Sequence, residues 1–351
     1  MLRAFLRRLP RSWLDPEVVF LQPGSFEREV AALGLRTHVV PSGRLRNPRR
    51  TAWAVWKLGA LLRVLQPDLV LSWAAKPHLY VAPAALLAQR RTSLAWWQHG
   101  IPDGHWMDRL ATRLPAAAIG CSSHAAAAGQ GRLRPRRRLF VVHPGIEEQP
   151  EERRSRPALR RALGLPQHAF LVGVVGRLQP DKGQDLFLRG LAELRARGRE
   201  VHAVIVGGAA FGLSEDYAAS LGPLVRALGL KSSVTFTGQV AEVAPYLRTM
   251  DVFVNPSARE SFGIAIVEAM ATGLTVINAA RGGPDEIIEP GVSGIVLKSR
   301  EPTQLADAIE KLMLDEQLRA GLAEGALMRA ARFTADAMTH RLEAALAALV
   351  K

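Results

Sequence analysis

The stretch VVGRLQPDKGQDLFLRGL, Val174 to Leu191, runs from an apolar segment through a turn holding Gly176 and Gly183 into an amphipathic helix. Two cations, Arg177 and Lys182, lie within that turn. A glycine lets the backbone approach an anion closely, and a following helix start offers unpaired N–H groups and the positive end of the helix dipole. A diphosphate is the ligand such a turn suits. The spacing matches neither GxGxxG nor GxxxxGK[ST], so no generic nucleotide motif applies. Taken alone, a turn with two charges is also an ordinary structural feature.

Outward from this stretch the chain alternates short apolar strands with amphipathic helices, the pattern of parallel sheets covered on both faces. In the first half the expected strands are Val18–Leu21, Thr37–Val40, Leu69–Ser72, Leu94–Trp97, Ala117–Cys121 and Leu139–His143. A polar, proline-bounded segment, PGIEEQPEERRSRP from Pro144 to Pro157, reads as a linker. Beyond it the expected strands are Phe170–Val175, Ala203–Val206, Val234–Thr237, Val252–Val254, Thr275–Ile277 and Ile295–Leu297, with helices such as Leu305–Leu314 between them. The fold class is therefore α/β, with two doubly wound domains and a ligand cleft at the carboxyl ends of their strands. The first domain departs from that plan at its start. It opens with MLRAFLRRLPRSWL rather than an apolar strand and a Gly-rich turn, so its central strand and loop are expected to be missing. Leu2, Phe5, Leu6 and Leu9 follow helical spacing with Arg3, Arg7 and Arg8 off that face; this helix either covers the domain or lies on a membrane.

Composition narrows the function. The 351 residues are 48% apolar with a mean hydropathy of +0.05, which indicates packed cores and allows two domains. No run approaches the ~20 apolar residues of a membrane span, and the N-terminus lacks a signal-peptide pattern, so a cytoplasmic location is expected. A single cysteine, Cys121, excludes a disulfide framework and cysteine-built metal sites. The net charge of +14 is unevenly spread: residues 1–150 hold 22 Lys and Arg against 9 Asp and Glu, whereas residues 151–351 hold 24 against 23. An anionic partner for the first half follows, either a membrane surface, a phosphorylated acceptor or nucleic acid, unless the arginines are simply a solvated surface. The basic run RLRPRRR, Arg132 to Arg138, has no interleaved aromatics, which argues against nucleic acid.

A second stretch, SARESFGIAIVEAMATGLTVI from Ser257 to Ile277, places Glu260 just before a helix and Glu268 within it. At a rise of ~1.5 Å per residue the two lie roughly 12 Å apart. Glycosidase carboxyl pairs sit at about 5 to 9.5 Å, so the spacing favours a long ligand with polar groups at both ends, such as a nucleotide sugar. The N–H groups of Phe262, Gly263 and Ile264 would form a helix start open to an anion.

VGRLQPDKG, ARESFGIAIVEAMATGLTVI, GGPDEII and GVSGIVL, in this order, resemble the donor-binding domain of family 4 glycosyltransferases of the GT-B fold. WWQHGIPDG and VHPGIE resemble the first domain more loosely, and ARFTADAMTHRLEAALAAL resembles the C-terminal helix that crosses back to it. The resemblance implies domains at 1–146 and 147–333, a crossing helix at 334–351, and a retaining transfer of a hexose-type sugar from a nucleoside-diphosphate sugar. It implies that Arg177 and Lys182 hold the leaving diphosphate, that Glu268 binds the ribose hydroxyls, and that Glu260 contacts the donor sugar as a positioning and electrostatic residue. It implies that His99, in QHG, reaches the sugar from the first domain. A lone histidine after an apolar strand is otherwise structural.

No Asp-x-Asp occurs, and neither a GxSxG elbow nor a zinc spacing is present, so no metal and no cofactor beyond the donor co-substrate is expected. The expected acceptor is a lipid-linked or saccharide molecule, met by a peripheral enzyme at the inner face of the plasma membrane. The alternative is a catalytically silent sugar-nucleotide-binding or scaffold protein of the same fold.

Overall fold

A computed structural model of the chain describes residues 1–10, 13–43, 45–89, 92–148, 154–209 and 214–350. The chain divides into two compact units, Met1–Gly145 with Ala335–Lys351, and Ile146–Thr334. The segment read as a linker lies partly outside the described residues, at 149–153.

In the first unit β1 (Glu17–Phe20) pairs in parallel with β2 (Arg36–Val39). A separate parallel sheet runs in the order β3 (Leu69–Ser72), β4 (Ser93–Gln98), β5 (Ala118–Cys121), β6 (Arg138–Val141). The strands thus form two sheets rather than one, and no described strand joins β1 to β3. What spans the interruption is the Leu2–Arg8 helix. Its Phe5 packs with Trp97, Met338 and Leu342, while its Leu6 packs with Val30 and Leu35 beside Val18 and Phe20. Phe5 and Leu6 are buried, so this helix covers the unit and its apolar side is not available to a membrane. Its amphipathic spacing thus serves packing within the unit and not, as the alternative expectation had it, contact with a membrane. The Ala335–Val350 helix belongs to the same unit, with Arg8 Nε 2.6 Å from Asp336 Oδ1.

Apolar strands buried on both faces explain the parallel pairing. Trp96 and Trp97 of β4 are fully buried, and Trp97 stacks on Trp73 at 5.4 Å between ring centroids. Gly120 stands opposite Trp97 in register, where a Cβ would meet the indole at 2.6 Å. Cys121 is buried beside it, and burial pushes its thiol up to about 12, which leaves an inert side chain.

The second unit is one six-stranded parallel sheet with β7 (Phe170–Val175), β8 (Val201–Val206), β9 (Val234–Gly238), β10 (Val252–Asn255), β12 (Thr275–Asn278) and β14 (Ile295–Val296) in the order β14-β12-β10-β7-β8-β9. Two short strands, β11 (Arg259–Glu260) and β13 (Arg281–Gly282), pair separately. The Gln184–Ala196 helix buries Phe187, Leu188, Leu191 and Leu194, one face at helical spacing, against Ile205, Leu305 and Ile309. On the other side Ile266, Val267 and Met270 of the Ile264–Ala271 helix pack with Phe253 and Phe333. From β7 the chain winds outward through β8 and β9, then returns to β10 and winds the other way. The switch point is therefore between β7 and β10, where ligands of doubly wound sheets bind.

Candidate donor site

The loops at that switch point are the two stretches singled out in the sequence. β7 ends at Gly176, whose N–H donates to the Val206 carbonyl at 3.0 Å, and Leu178 N–H donates to the Gly208 carbonyl at 3.1 Å. Gly183 then starts the Gln184–Ala196 helix with a φ of 71°, and a Cβ there would lie 2.3 Å from the Pro256 carbonyl oxygen. Glycine is required on both counts, and the result is that the β7 loop lies directly on the β10 loop. Ala258 N–H donates to the Asp181 carbonyl at 2.8 Å, a second tie between them.

This contact brings Lys182 to Glu260, with Nζ 2.5 Å from Oε2 and both side chains mostly shielded from solvent. An ammonium has three donors, so the pairing with Glu260 leaves two for other acceptors. Arg177 lies at the same turn, exposed and without an ion-pair partner among the described residues. Glu260 is not on the helix. It sits in β11, opposite Gly282 of β13, and its carbonyl accepts from Gly283 N–H at 2.9 Å. The helix begins at Ile264 after Gly263, whose φ is 108°. Phe262 is buried and meets Phe333 edge-on at 5.5 Å, while Ile264 is exposed. The fold therefore groups Arg177, Lys182, Glu260, Phe262, Gly263 and Ile264 on adjoining loops. Glu268 lies on the second turn of that helix, half-buried, and burial raises its carboxyl above the usual range. A carboxylate in that setting is stabilised by hydrogen-bond donors from a ligand.

Several residues that shape this site were not legible in the sequence. Asn255 and Asn278, buried at the ends of β10 and β12, are joined by a 2.8 Å bond from Asn255 Nδ2 to Asn278 Oδ1, and Ser257 Oγ donates to Asn255 Oδ1 at 2.8 Å. Buried Gln184 donates to the Arg177 carbonyl at 2.9 Å, and Arg300 donates to the Pro256 carbonyl at 3.1 Å. For Asn255 and Asn278 a polar residue at a strand end is the only sequence signal.

His99 belongs to the first unit, directly after β4. A ring nitrogen, Nε2, lies 2.7 Å from the Trp73 carbonyl oxygen, and Ser122 Oγ donates to the His99 carbonyl at 3.2 Å. A carbonyl only accepts, so Nε2 carries the proton and Nδ1 is left as the acceptor. Burial lowers the ring's pKa, which keeps it neutral.

The sequence matches two family models: glycosyl transferases group 1 over residues 155–328 and glycosyltransferase family 4 over residues 1–149. The chain belongs to this glycosyltransferase family, and its fold is GT-B. Among curated relatives, the D-inositol 3-phosphate glycosyltransferase of Stackebrandtia nassauensis is 38% identical over 203 residues, 56% of this chain and 46% of that protein. That of Salinispora arenicola is 36% identical over 211 residues, 57% of this chain and 47% of that one. The chain thus spans about half the length of the curated relatives it matches. Anabaena Alr3699/HepE, solved with UDP and glucose, superposes with a TM-score of 0.87 at 26% identity, covering 99% of this chain and 95% of that one. Sucrose-phosphate synthase from Thermosynechococcus elongatus, 20% identical with a TM-score of 0.75 over 90% of this chain and 83% of its own, shares the fold.

Proposed function

We propose that the chain is a hexosyltransferase that takes its sugar from a nucleoside-diphosphate donor, retains the anomeric configuration and needs no metal for the diphosphate. The observation that carries this is the Lys182–Glu260 pair at the switch point, a cation and a carboxylate presented side by side next to an open helix start. Lys182 and Arg177 hold the diphosphate and offset the charge that develops as it leaves. Glu260 accepts from the donor sugar's hydroxyls, and Glu268 accepts from the ribose diol. The sugar contact given to His99 rests on the family resemblance. A uridine donor is the first to test, because HepE was solved with UDP-glucose at 26% identity over 95% of its length. The acceptor is a glycolipid or polysaccharide precursor at an anionic membrane surface, a reading supported by the cation excess of residues 1–150.

Labelled UDP-glucose, GDP-mannose and ADP-glucose, each incubated with a bacterial lipid extract, test the transfer. The expected result is label in the lipid fraction from one donor, with the product's anomeric proton matching the donor's configuration. Donor that binds without turnover would establish the silent alternative, and an inverted anomer would overturn the retaining assignment.

A further inference from the structure

The first unit carries a surface whose chemistry none of the site residues explains. The Pro48–Leu65 helix is capped by Asn47, whose side chain accepts from Arg50 N–H, and buries Ala54, Leu58 and Gly59 against the Ala75–Ala88 helix. Gly59 permits that close approach, since a Cβ there would stand 3.2 Å from the Ala84 carbonyl oxygen. At 100° per residue, Arg49, Trp53, Trp56, Lys57, Ala60 and Val64 fall on the opposite face. Trp53 is 44% exposed, Trp56 57% and Val64 77%, and Leu86 and Leu87 of the neighbouring helix are exposed as well. Two exposed indoles on one helical face are costly to leave in water and mark an interaction site.

The charges on this helix point to the occupant. Between Glu29 and Asp68 the sequence has no acidic residue, while Arg36, Arg44, Arg46, Arg49, Arg50, Lys57 and Arg63 are all cationic. Arg49, Arg50, Lys57 and Arg63 on the helix itself have no carboxylate partner among the described residues. Lys57 Nζ instead lies 5.9 Å from the Trp53 ring centre and 5.8 Å from that of Trp56. Indoles prefer the boundary between headgroups and acyl chains, and the long stems of Lys and Arg let their charges reach phosphates from the same depth. A helix with aromatic and aliphatic side chains along one line, cations beside them and no acid is built for an interface of that kind.

We infer that this face, Arg49, Trp53, Trp56, Lys57 and Val64, seats the protein on an anionic phospholipid bilayer. It gives the membrane acceptor of the proposed function a defined docking element. It replaces the Leu2–Arg8 helix, whose apolar side is buried, as the membrane contact. Each cation near an anionic surface is worth about fivefold in binding, so the effect of removing two is measurable.

The test uses the full chain with vesicles of phosphatidylcholine alone or with one-third phosphatidylglycerol, read by co-sedimentation and by tryptophan emission. Wild type is expected to bind the anionic vesicles with a blue shift and to leave the neutral ones in suspension. Trp53→Ser with Trp56→Ser removes the shift and weakens binding at least tenfold, and Arg49→Glu with Lys57→Glu weakens it by a similar factor. Arg136→Glu with Arg137→Glu makes the same charge change at an exposed site elsewhere in the unit and leaves binding within about twofold. Equal losses in both charge variants, or no loss in the tryptophan variant, would overturn the inference in favour of net charge alone. Binding to neither vesicle would overturn it too, and so would a stable dimer that the tryptophan variant dissolves. UDP binding, measured on the same preparations, separates a failed membrane face from a failed donor site.

Discussion

Lys182→Ala will lower the turnover of sugar transfer about 10²- to 10³-fold while the protein stays folded, the range found when one preorganised donor to developing charge is removed. Two consequences of the structure make the effect large. The variant loses the ammonium with two donors left for the departing diphosphate, and it leaves the carboxylate of Glu260 without its 2.5 Å partner. Both side chains are mostly shielded, so stranding the Glu260 carboxylate also costs some stability, and a modest fall in melting temperature is expected without loss of the fold. Lys182→Arg retains the charge but brings a planar, longer fork into a space that fits a point charge, and partial activity is expected. Initial-rate measurements on both variants check this. A drop of less than about fivefold in kcat for Lys182→Ala would show that the diphosphate is held by other groups.

Gly283→Ala is expected to damage both stability and activity. A Cβ at Gly283 would sit 2.3 Å from Phe262 Cα and 2.3 Å from the Ser261 carbonyl oxygen, both backbone atoms that no rotamer change can clear. The methyl group therefore forces β13 away from β11, breaks the Gly283 N–H bond to the Glu260 carbonyl and shifts Glu260 itself. Overpacking of this kind costs about 3 kcal/mol, or roughly 8 °C in melting temperature for a unit of this size. Transfer activity should fall below detection. Gly321→Ala is the control, because its Cβ meets nothing within 4 Å on the Glu316–Ala330 helix. Matching melting curves for Gly283→Ala and Gly321→Ala would contradict the packing account.

The fold was largely legible because buried parallel strands leave apolar runs that need no partner to be seen. All twelve expected runs are strands, most with ends shifted by one or two residues: Phe170–Val175 and Leu69–Ser72 coincide, while Val18–Leu21 became Glu17–Phe20. Strands β11 and β13, two residues each, are too short for any periodicity to register. The Lys182–Glu260 pair spans 78 positions and depends on Gly183 lying against Pro256, which neither motif reveals by itself. The same holds for Asn255 and Asn278, whose bond exists because β10 and β12 are neighbours in the sheet. At the N-terminus the amphipathic spacing marks the Leu2–Arg8 helix, but spacing alone does not say what covers its apolar face. Phe5 and Leu6 meet two different clusters, and the face with no cover proved to be on the Pro48–Leu65 helix.

The central claim is a nucleoside-diphosphate site at the β7–β10 switch point, and calorimetric titration of UDP, GDP and ADP into the wild type and Glu268→Ala tests it most directly. The account predicts that one nucleotide, UDP, binds and that the variant, with unchanged circular dichroism, binds it at least tenfold more weakly. Folded wild-type protein that binds none of the three, or a variant that binds as tightly as the wild type, would contradict it.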